Sequence, residues 1–93
     1  MGSAPQFRQD SQLWQKAWGI RLKPQPFREV KRRLEAAGFV ETSQKGSHVK
    51  FVRRSGEVVD TAIVPRKSEI PVGTLHSILS QAHITADDWD ELG

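Results

Sequence analysis

The sequence predicts an α+β domain in which two helices cover one face of a three-stranded antiparallel sheet. Two amphipathic helical patterns, near 26–38 and 71–82, flank three short alternating segments at about 39–43, 47–54 and 57–64. The turns between these segments are too short for crossover connections, so neighbouring strands should be antiparallel. A helix, three strands and a second helix in this order pack as a two-layer sandwich.

Length and composition describe one small domain. The chain has 93 residues, of which 37% are hydrophobic and 27% charged, the balance of an ordinary folded protein. It has no cysteine, which excludes disulfides and thiolate metal sites. No apolar run is long enough to span a membrane and no secretory signal is evident. We therefore expect a cytoplasmic protein with no membrane association.

We divide the chain into an N-terminal extension, residues 1–25, and a folded domain, residues 26–93. Within the extension, Asp10 or Ser11 could cap a short helix that ends at Gly19. Four apolar residues of that helix share one stripe: Leu13, Trp14, Ala17 and Trp18. We expect the stripe to pack on the domain of the same chain, with a contact to a partner as the alternative.

The first helix of the domain is predicted to begin at Pro26 or Phe27 and to end at Gly38. Proline is favoured at the start of a helix and glycine just beyond its end. One face of the helix is apolar: Phe27, Val30, Leu34 and Ala37. The other face is basic: Arg28, Lys31, Arg32 and Arg33. This basic face is either solvated and partly neutralised by Glu29 and Glu35, or it is a ridge that contacts phosphates.

The three strands are separated by predicted turns at Lys45-Gly46 and Ser55-Gly56. Pro65 should end the third strand, because proline has no amide hydrogen for the ladder. The second helix is predicted from Pro71 to Ala82. Its buried face consists of Leu75, Ile78, Leu79 and Ala82.

A last short helix is predicted near the C-terminus. Thr85 and Asp88 have the spacing of a capping box, which satisfies the free amides at a helix start. Trp89 and Leu92 would anchor this helix to the core.

The net charge of +3 is distributed unevenly along the chain. Residues 1–26 carry four basic and one acidic group, and residues 27–67 carry ten basic and five acidic groups. Residues 68–93 carry five acidic groups and neither lysine nor arginine. A basic middle section favours a polyanionic partner, with a merely soluble surface of scattered charges as the alternative.

The segment from Gln44 to Phe51 carries the clearest chemical signal. If Val49 and Phe51 face the core, the alternation of a strand places His48 and Lys50 on the solvent face. An imidazole can accept or donate a proton near neutral pH, and the neighbouring lysines suit an anionic substrate. The alternative is a surface histidine without a chemical role.

This segment and several others resemble the HicA toxin family, small ribonucleases of bacterial and archaeal toxin–antitoxin pairs. The matching residues occur in order between positions 21 and 92: Gly38-Phe39, Gln44-Lys45-Gly46-Ser47-His48, Val64-Pro65, Glu69-Ile70, Gly73-Thr74-Leu75 and Ile78-Leu79. The resemblance implies a fold like that of double-stranded-RNA-binding domains. It also implies a HicB-type antitoxin that covers the basic face and His48, so the protein would be a monomer or an antitoxin-bound hetero-oligomer.

The reaction expected from this resemblance is metal-independent cleavage of mRNA without a cofactor, with His48 as general base or acid. The ribose 2′-hydroxyl is the nucleophile, so the protein needs only to move protons and stabilise charge. The residues expected to bind RNA are Gln44, Lys45, Gly46, Ser47, Lys50 and Lys67. We expect no metal site, because His48 and His76 form no H-E-x-x-H pattern and no carboxylate cluster accompanies them.

The chain departs from the family pattern at two positions. Ser43 stands where the family commonly has arginine, which removes a potential phosphate contact. Lys67 stands where the family often has histidine, which removes a potential partner for His48, although a lysine still binds phosphate as a point charge.

Two other functions remain open from the sequence. One is a non-catalytic RNA-binding module with the same fold, which would bind RNA in a salt-sensitive way and leave it intact. The other is a structural or regulatory interaction domain, suggested by Trp14, Trp18 and the acidic C-terminal segment that contains Trp89.

Overall fold

The structure, a computed structural model, describes residues 22–93. Within this range the elements are, in order, α1 (Phe27–Ala36), β1 (Val40–Lys45), β2 (His48–Ser55), β3 (Val58–Pro65), α2 (Val72–Ala82) and α3 (Ala86–Glu91). The strands form one antiparallel sheet in the order β1-β2-β3. This confirms the predicted α+β fold. The N-terminal helix predicted with Trp14 and Trp18 lies outside the described residues.

Both hairpin turns lie one residue later than the predicted Lys45-Gly46 and Ser55-Gly56. The loops are Gly46-Ser47 and Gly56-Glu57, and their glycines have φ of 60° and 62°. The second loop residues, Ser47 and Glu57, do not have a positive φ. A positive φ at the first loop residue alone belongs to a type II′ turn, whose twist matches that of the strands. The glycines therefore begin the loops instead of ending them, and β1 extends to residue 45.

The helix α1 begins and ends where the sequence predicted. Pro26 precedes it in an extended conformation, and Gly38 follows it with φ of 101°. The amide of Gly38 donates to the carbonyl of Glu35, and that of Phe39 donates to the carbonyl of Leu34. These two bonds form a Schellman motif, which satisfies the last carbonyls of the helix and turns the chain into β1.

The core lies between the helices and one face of the sheet. The inward residues of β2 and β3 are fully buried: Val49, Phe51, Ala62 and Val64. The rings of Phe27 and Phe51 lie 6.3 Å apart and join α1 to the sheet. The predicted buried faces of α1 and α2 are confirmed, and Trp89 of α3 closes one side of the core.

The chain ahead of α1 also contacts the domain. Leu22 is buried in the core. Gln25 and Ile70 exchange two backbone hydrogen bonds, of 3.1 and 2.6 Å, in an isolated antiparallel bridge. In residues 22–93 no helix is long and apolar enough to cross a membrane.

Both outer strands have modified edges. In β1 the pairing register shifts between Glu41 and Ser43, so that Thr42 forms a bulge. In β3 the amide of Ile63 donates to the side-chain oxygen of Gln81 on α2, at 3.0 Å. One hydrogen-bonding position on the outer edge of β3 is therefore already occupied.

Candidate active site

The sheet face away from the helices is open to solvent and carries His48. The side chains of β2 alternate as predicted, with Val49 and Phe51 buried and His48 and Lys50 exposed. His48 pairs with Lys45 of β1 and with Pro65 of β3. Because directly paired residues share a face of the sheet, the imidazole and the Lys45 ammonium lie at the same end of the open face.

The loop in front of His48 depends on one glycine. Gly46 has φ of 60°, a backbone angle that side chains rarely adopt. A Cβ at this position would meet no atom within 4 Å, so the residue is needed for its angle and not for lack of space. The surrounding space leaves the loop backbone accessible to a large anionic ligand.

Gln44 and Arg66 hold this loop, and we call the pair the Gln44–Arg66 brace. The amide of Arg66 donates to the carbonyl of Ser47 at 2.7 Å. Its guanidinium donates to Gln44 Oε1 at 3.2 Å, and Gln44 Nε2 donates to the carbonyl of Gly46 at 2.9 Å. The guanidinium also lies 4.5 Å from the ring centre of Phe27. The brace therefore ties the loop to α1 and to the chain after β3.

Lys67 lies at the same corner of the domain, two residues beyond Pro65. Its carbonyl accepts a hydrogen bond of 3.0 Å from the amide of Phe27, the first residue of α1. Its side chain is exposed. Lys67 is therefore an exposed cation two residues along the chain from Pro65, the residue of β3 that pairs with His48.

A family model, described as "HicA toxin of bacterial toxin-antitoxin", matches residues 27–84, more than half of the chain. The chain belongs to the HicA toxin family. This confirms the resemblance seen in the sequence. A comparison with curated proteins found no match. The matched range runs from the first residue of α1 to just beyond α2, and it includes His48 and every residue predicted to bind RNA.

The first departure from the HicA pattern, Ser43, lies on β1 directly opposite Lys50. An arginine at this position would stand beside that lysine on the open face. In this chain Lys50 is the basic member of the pair, and the neighbouring position contributes a hydroxyl. Ser43 therefore adds no charge beside Lys50 on the open face.

Three of the four residues on the predicted basic face of α1 are paired with carboxylates, and the fourth, Arg28, is exposed and has no ion pair within residues 22–93. Lys31 Nζ lies 2.6 Å from Glu41 of β1 and 3.7 Å from Glu35. Glu29 receives hydrogen bonds from both Arg32 and Arg33, at 2.5 and 2.7 Å. These two bonds lower the pKa of the Glu29 carboxyl from 4.5 to about 2, and the bond from Arg32 has the larger effect.

The arginines of α1 also contact the C-terminal segment. Arg33 donates to the carbonyl of Trp89 at 3.0 Å and lies 5.4 Å from the centre of the indole. Arg32 donates to the carbonyl of Leu92 at 3.4 Å. Of the two interpretations left open by the sequence, the structure favours a face neutralised within the domain over a ridge that contacts phosphates.

The sequence did not reveal a polar cluster at the other end of β2. Arg53 donates to Asp60 Oδ2 at 2.9 Å and to the carbonyls of Ala37 and Ala82, at 3.2 and 3.1 Å. Nδ1 of His83, the residue after α2, lies 2.8 Å from Asp60 Oδ1. We call Arg53, Asp60 and His83 the Arg53 cluster, and it joins the sheet to the ends of both long helices.

Asp60 is the centre of the Arg53 cluster and is only 7% exposed. The hydrogen bond from Arg53, followed by that from His83, holds the pKa of its carboxyl below the ordinary value. A signal for this pair is present in the sequence, because Asp60 interrupts an apolar strand and lies opposite Arg53 when the hairpin register is correct. Within residues 22–93 no group of three or more His, Cys, Asp or Glu side chains is placed to hold a metal ion.

Proposed function

We propose that this HicA-family toxin is a metal-independent endoribonuclease that cleaves mRNA, with His48 as its general base or general acid. One observation carries the proposal. His48 is exposed on the open sheet face, at the end of a braced hairpin, with Lys45 paired to it and Lys50 two residues along the same strand. The imidazole can transfer protons, and the exposed lysines around it can bind phosphates. This combination suits a phosphodiester substrate.

In the proposed reaction the 2′-hydroxyl oxygen attacks the adjacent phosphorus, and the bond from phosphorus to the 5′-oxygen breaks. The products are a 2′,3′-cyclic phosphate and a free 5′-hydroxyl. His48 takes the proton from the 2′-hydroxyl or gives one to the departing 5′-oxygen, and solvent completes the other transfer. A positioned acid–base group contributes about 10²–10⁴-fold to the rate. Lys45, Lys50 and Lys67 would bind phosphates and stabilise the transition-state charge.

The remaining predicted residues have supporting roles in this proposal. The Gly46 backbone lies in open space where a phosphate can approach. Ser47 presents an exposed hydroxyl beside His48. Gln44 was expected to bind RNA, but both ends of its amide already have a partner, the Gly46 carbonyl in the loop and the Arg66 guanidinium beyond β3, so we propose that it shapes the loop.

The first test is incubation of the purified protein with labelled single-stranded RNA in EDTA, beside His48→Ala. We expect cleavage by the wild type alone, with a 2′,3′-cyclic phosphate on the 5′ fragment. Circular dichroism and thermal unfolding of His48→Ala would confirm that the variant is folded. Cleavage by a folded His48→Ala protein would remove His48 from the mechanism, and loss of wild-type activity in EDTA would remove the metal-independent route.

A second candidate is a non-catalytic RNA-binding module, and Lys67 favours it. Where the family often has a second histidine near His48, this chain has a lysine, which binds phosphate as a point charge. Salt-sensitive RNA binding without products, equal in the wild type and His48→Ala, would establish this alternative.

We also propose that a HicB-type antitoxin covers His48 in the cytoplasm. In this proposal the free toxin is a monomer, and its complex with the antitoxin is a hetero-oligomer. Toxin–antitoxin membership supports the existence of such a partner, and the exposed side chains Val40 and Ile63 on the sheet support its placement there. Co-expression with an antitoxin encoded next to this chain, followed by size-exclusion chromatography and the cleavage assay, tests both points. Active toxin inside a stable complex would contradict the covering of His48.

A further inference from the structure

We propose that RNA binds as a single strand on the open sheet face, along β2 from His48 to Arg54, and not as a duplex on α1. The inference rests on the proposed function, because it concerns the RNA that reaches His48. It specifies the class of RNA and the surface that receives it.

The distribution of unpaired charge supports this placement. Among residues 22–93, Lys45, Lys50 and Arg54 form no ion pair, and all three are exposed. On α1, by contrast, three of the four basic residues, Lys31, Arg32 and Arg33, already face carboxylates, and within residues 22–93 Arg28 is the one α1 cation without an ion pair. A polyanion binds more favourably to cations that form no ion pair within the protein, because no existing ion pair has to be broken first.

The acidic C-terminal segment adds to the contrast. Arg32 and Arg33 bond to carbonyls of residues 89 and 92, so α3 lies against the basic side of α1. This segment carries Asp87, Asp88, Asp90 and Glu91. Phosphates that approached α1 would therefore meet a row of carboxylates, whereas residues 22–93 place none in the central part of the open sheet face.

Apolar side chains lie between the cations of the open face. Val40 is 62% exposed and Ile63 38% exposed. Val40 pairs with Val52, and Ile63 pairs with Lys50. A shallow concavity is lined there by Gly38, Val40, Thr42, Lys50, Val52 and Arg54. The base faces of a single strand can cover such side chains, whereas a duplex buries those faces in its own stack.

The dimensions of the face suit one strand. Neighbouring β-strands lie about 4.8 Å apart, so the three-stranded sheet measures only about 10 Å between its outer strands. From His48 to Arg54 the strand β2 extends about 20 Å, which matches about six nucleotides at the stacked spacing of about 3.4 Å. A single strand is also free to bring its 2′-hydroxyl into line with the departing oxygen, which a rigid A-form duplex resists.

The proposed position of the RNA is tested by making the same substitution at two different arginines. Arg54→Gln removes a charge from the open face, and Arg28→Gln removes one from the exposed surface of α1. Both are introduced into His48→Ala, so that binding is measured without cleavage. The probes are a fluorescently labelled 12-nucleotide RNA and the same RNA annealed to its complement, and anisotropy is recorded between 50 and 200 mM salt.

We expect Arg54→Gln to weaken single-strand binding about three- to tenfold, and to reduce the slope of log affinity against log salt by about 0.7, the value for one contact with a single strand. Arg28→Gln should leave both quantities unchanged, and the duplex should bind more weakly than the single strand. Lys50→Gln in place of Arg54→Gln should reproduce the effect.

Three results would overturn the inference: tighter binding of the duplex, an Arg28→Gln effect as large as that of Arg54→Gln, or binding that ignores both Arg54 and Lys50. The last result would assign the exposed side chains of Val40 and Ile63 to a protein contact. The wild-type cleavage assay separates this inference from the proposed function. Cleavage that depends on Arg28 would overturn the interface alone, and Arg54-dependent binding without cleavage would overturn the catalytic proposal alone.

Discussion

The two ends of β2 each carry a polar cluster, and the clusters are built in opposite ways. In the Arg53 cluster the side chains satisfy one another, because Asp60 accepts from Arg53 and faces His83. Arg53 also donates to a backbone carbonyl at the C-terminal end of each long helix. At the other end, the Gln44–Arg66 brace fixes the backbone of the loop, while the imidazole of His48 stays exposed. One cluster stabilises the fold, and the other is available to a ligand.

The two clusters contain two kinds of histidine that cannot be distinguished by residue type alone. His83 is exposed, yet it has a carboxylate partner and a fixed backbone with φ of 58°. His48 lies at the start of a strand beside cations on an open face. A polar group already satisfied inside its own domain has less to offer a substrate than one presented on a rigid element.

The largest expected effect tests this difference directly. His48→Ala should lower the rate of RNA cleavage by about 10²-fold or more, because it removes the proton-transfer group. His83→Ala should keep the rate within about twofold and lower the melting temperature instead, because it removes only a stabilising contact. Single-turnover cleavage and thermal unfolding of both variants measure the pair. A comparable loss of cleavage in a folded His83→Ala protein would contradict the assignment of a catalytic role to His48 and a structural role to His83.

The next effect concerns stability at the Arg53 cluster. Arg53→Met keeps the aliphatic stem beside Phe39 but removes three hydrogen bonds and leaves Asp60 without its main partner. We expect the free energy of unfolding to fall by about 2–4 kcal/mol. Arg54→Met, at the exposed neighbouring position, should change it by less than about 0.5 kcal/mol. Urea unfolding of the two variants gives the comparison, and equal values would show that the cluster adds no stability.

A smaller effect is expected at the brace. Arg66→Met should lower the cleavage rate about three- to tenfold with little change in unfolding free energy, because the loop before His48 loses its tie to α1. Gln44→Ala should act similarly, and the double variant should cost no more than either single one, since both residues belong to one contact. Additive losses of rate would indicate that Gln44 and Arg66 act independently, for example by binding RNA.

The smallest effect is the acid sensitivity of α1. The folded pKa of Glu29, about 2, lies below the ordinary value of 4.5. The contribution of its ion pairs is therefore present above about pH 4.5 and is lost as the pH falls toward 2. Solvent screening limits this contribution to about 1 kcal/mol or less. Glu29→Gln should flatten the decline in stability over that pH window, and an unchanged decline would place the acid-sensitive group elsewhere.

The sequence predicted what depends on periodicity. Alternation in β2 placed Val49 and Phe51 inside and His48 outside, and the helical pattern of α1 identified its buried face. The turn positions were wrong by one residue, because a two-residue loop places its glycine at either position depending on turn type. Composition alone does not choose between these types.

Contacts between distant segments could not be predicted in the same way. The pairing of Lys31 depends on Glu41, ten residues away on another element, and Asp60 meets His83 only after α2 has packed. Gln44 is predicted from the sequence to bind RNA, and nothing in the sequence indicated that its amide oxygen accepts a hydrogen bond from Arg66, twenty-two residues further on. In each case the tertiary neighbour decides whether a polar group is structural or available.

The modified edges of the sheet limit how a second protein can attach to this one. A partner that extended the sheet by adding its own strand would need an unbroken row of amides and carbonyls. The bulge at Thr42 interrupts that row on β1, and Gln81 already occupies the amide of Ile63 on β3. Recognition by strand addition is therefore disfavoured at both edges of the sheet. A partner is more readily accommodated through side-chain contacts on the open face. An inhibitor that binds there would cover the surface that we propose for RNA.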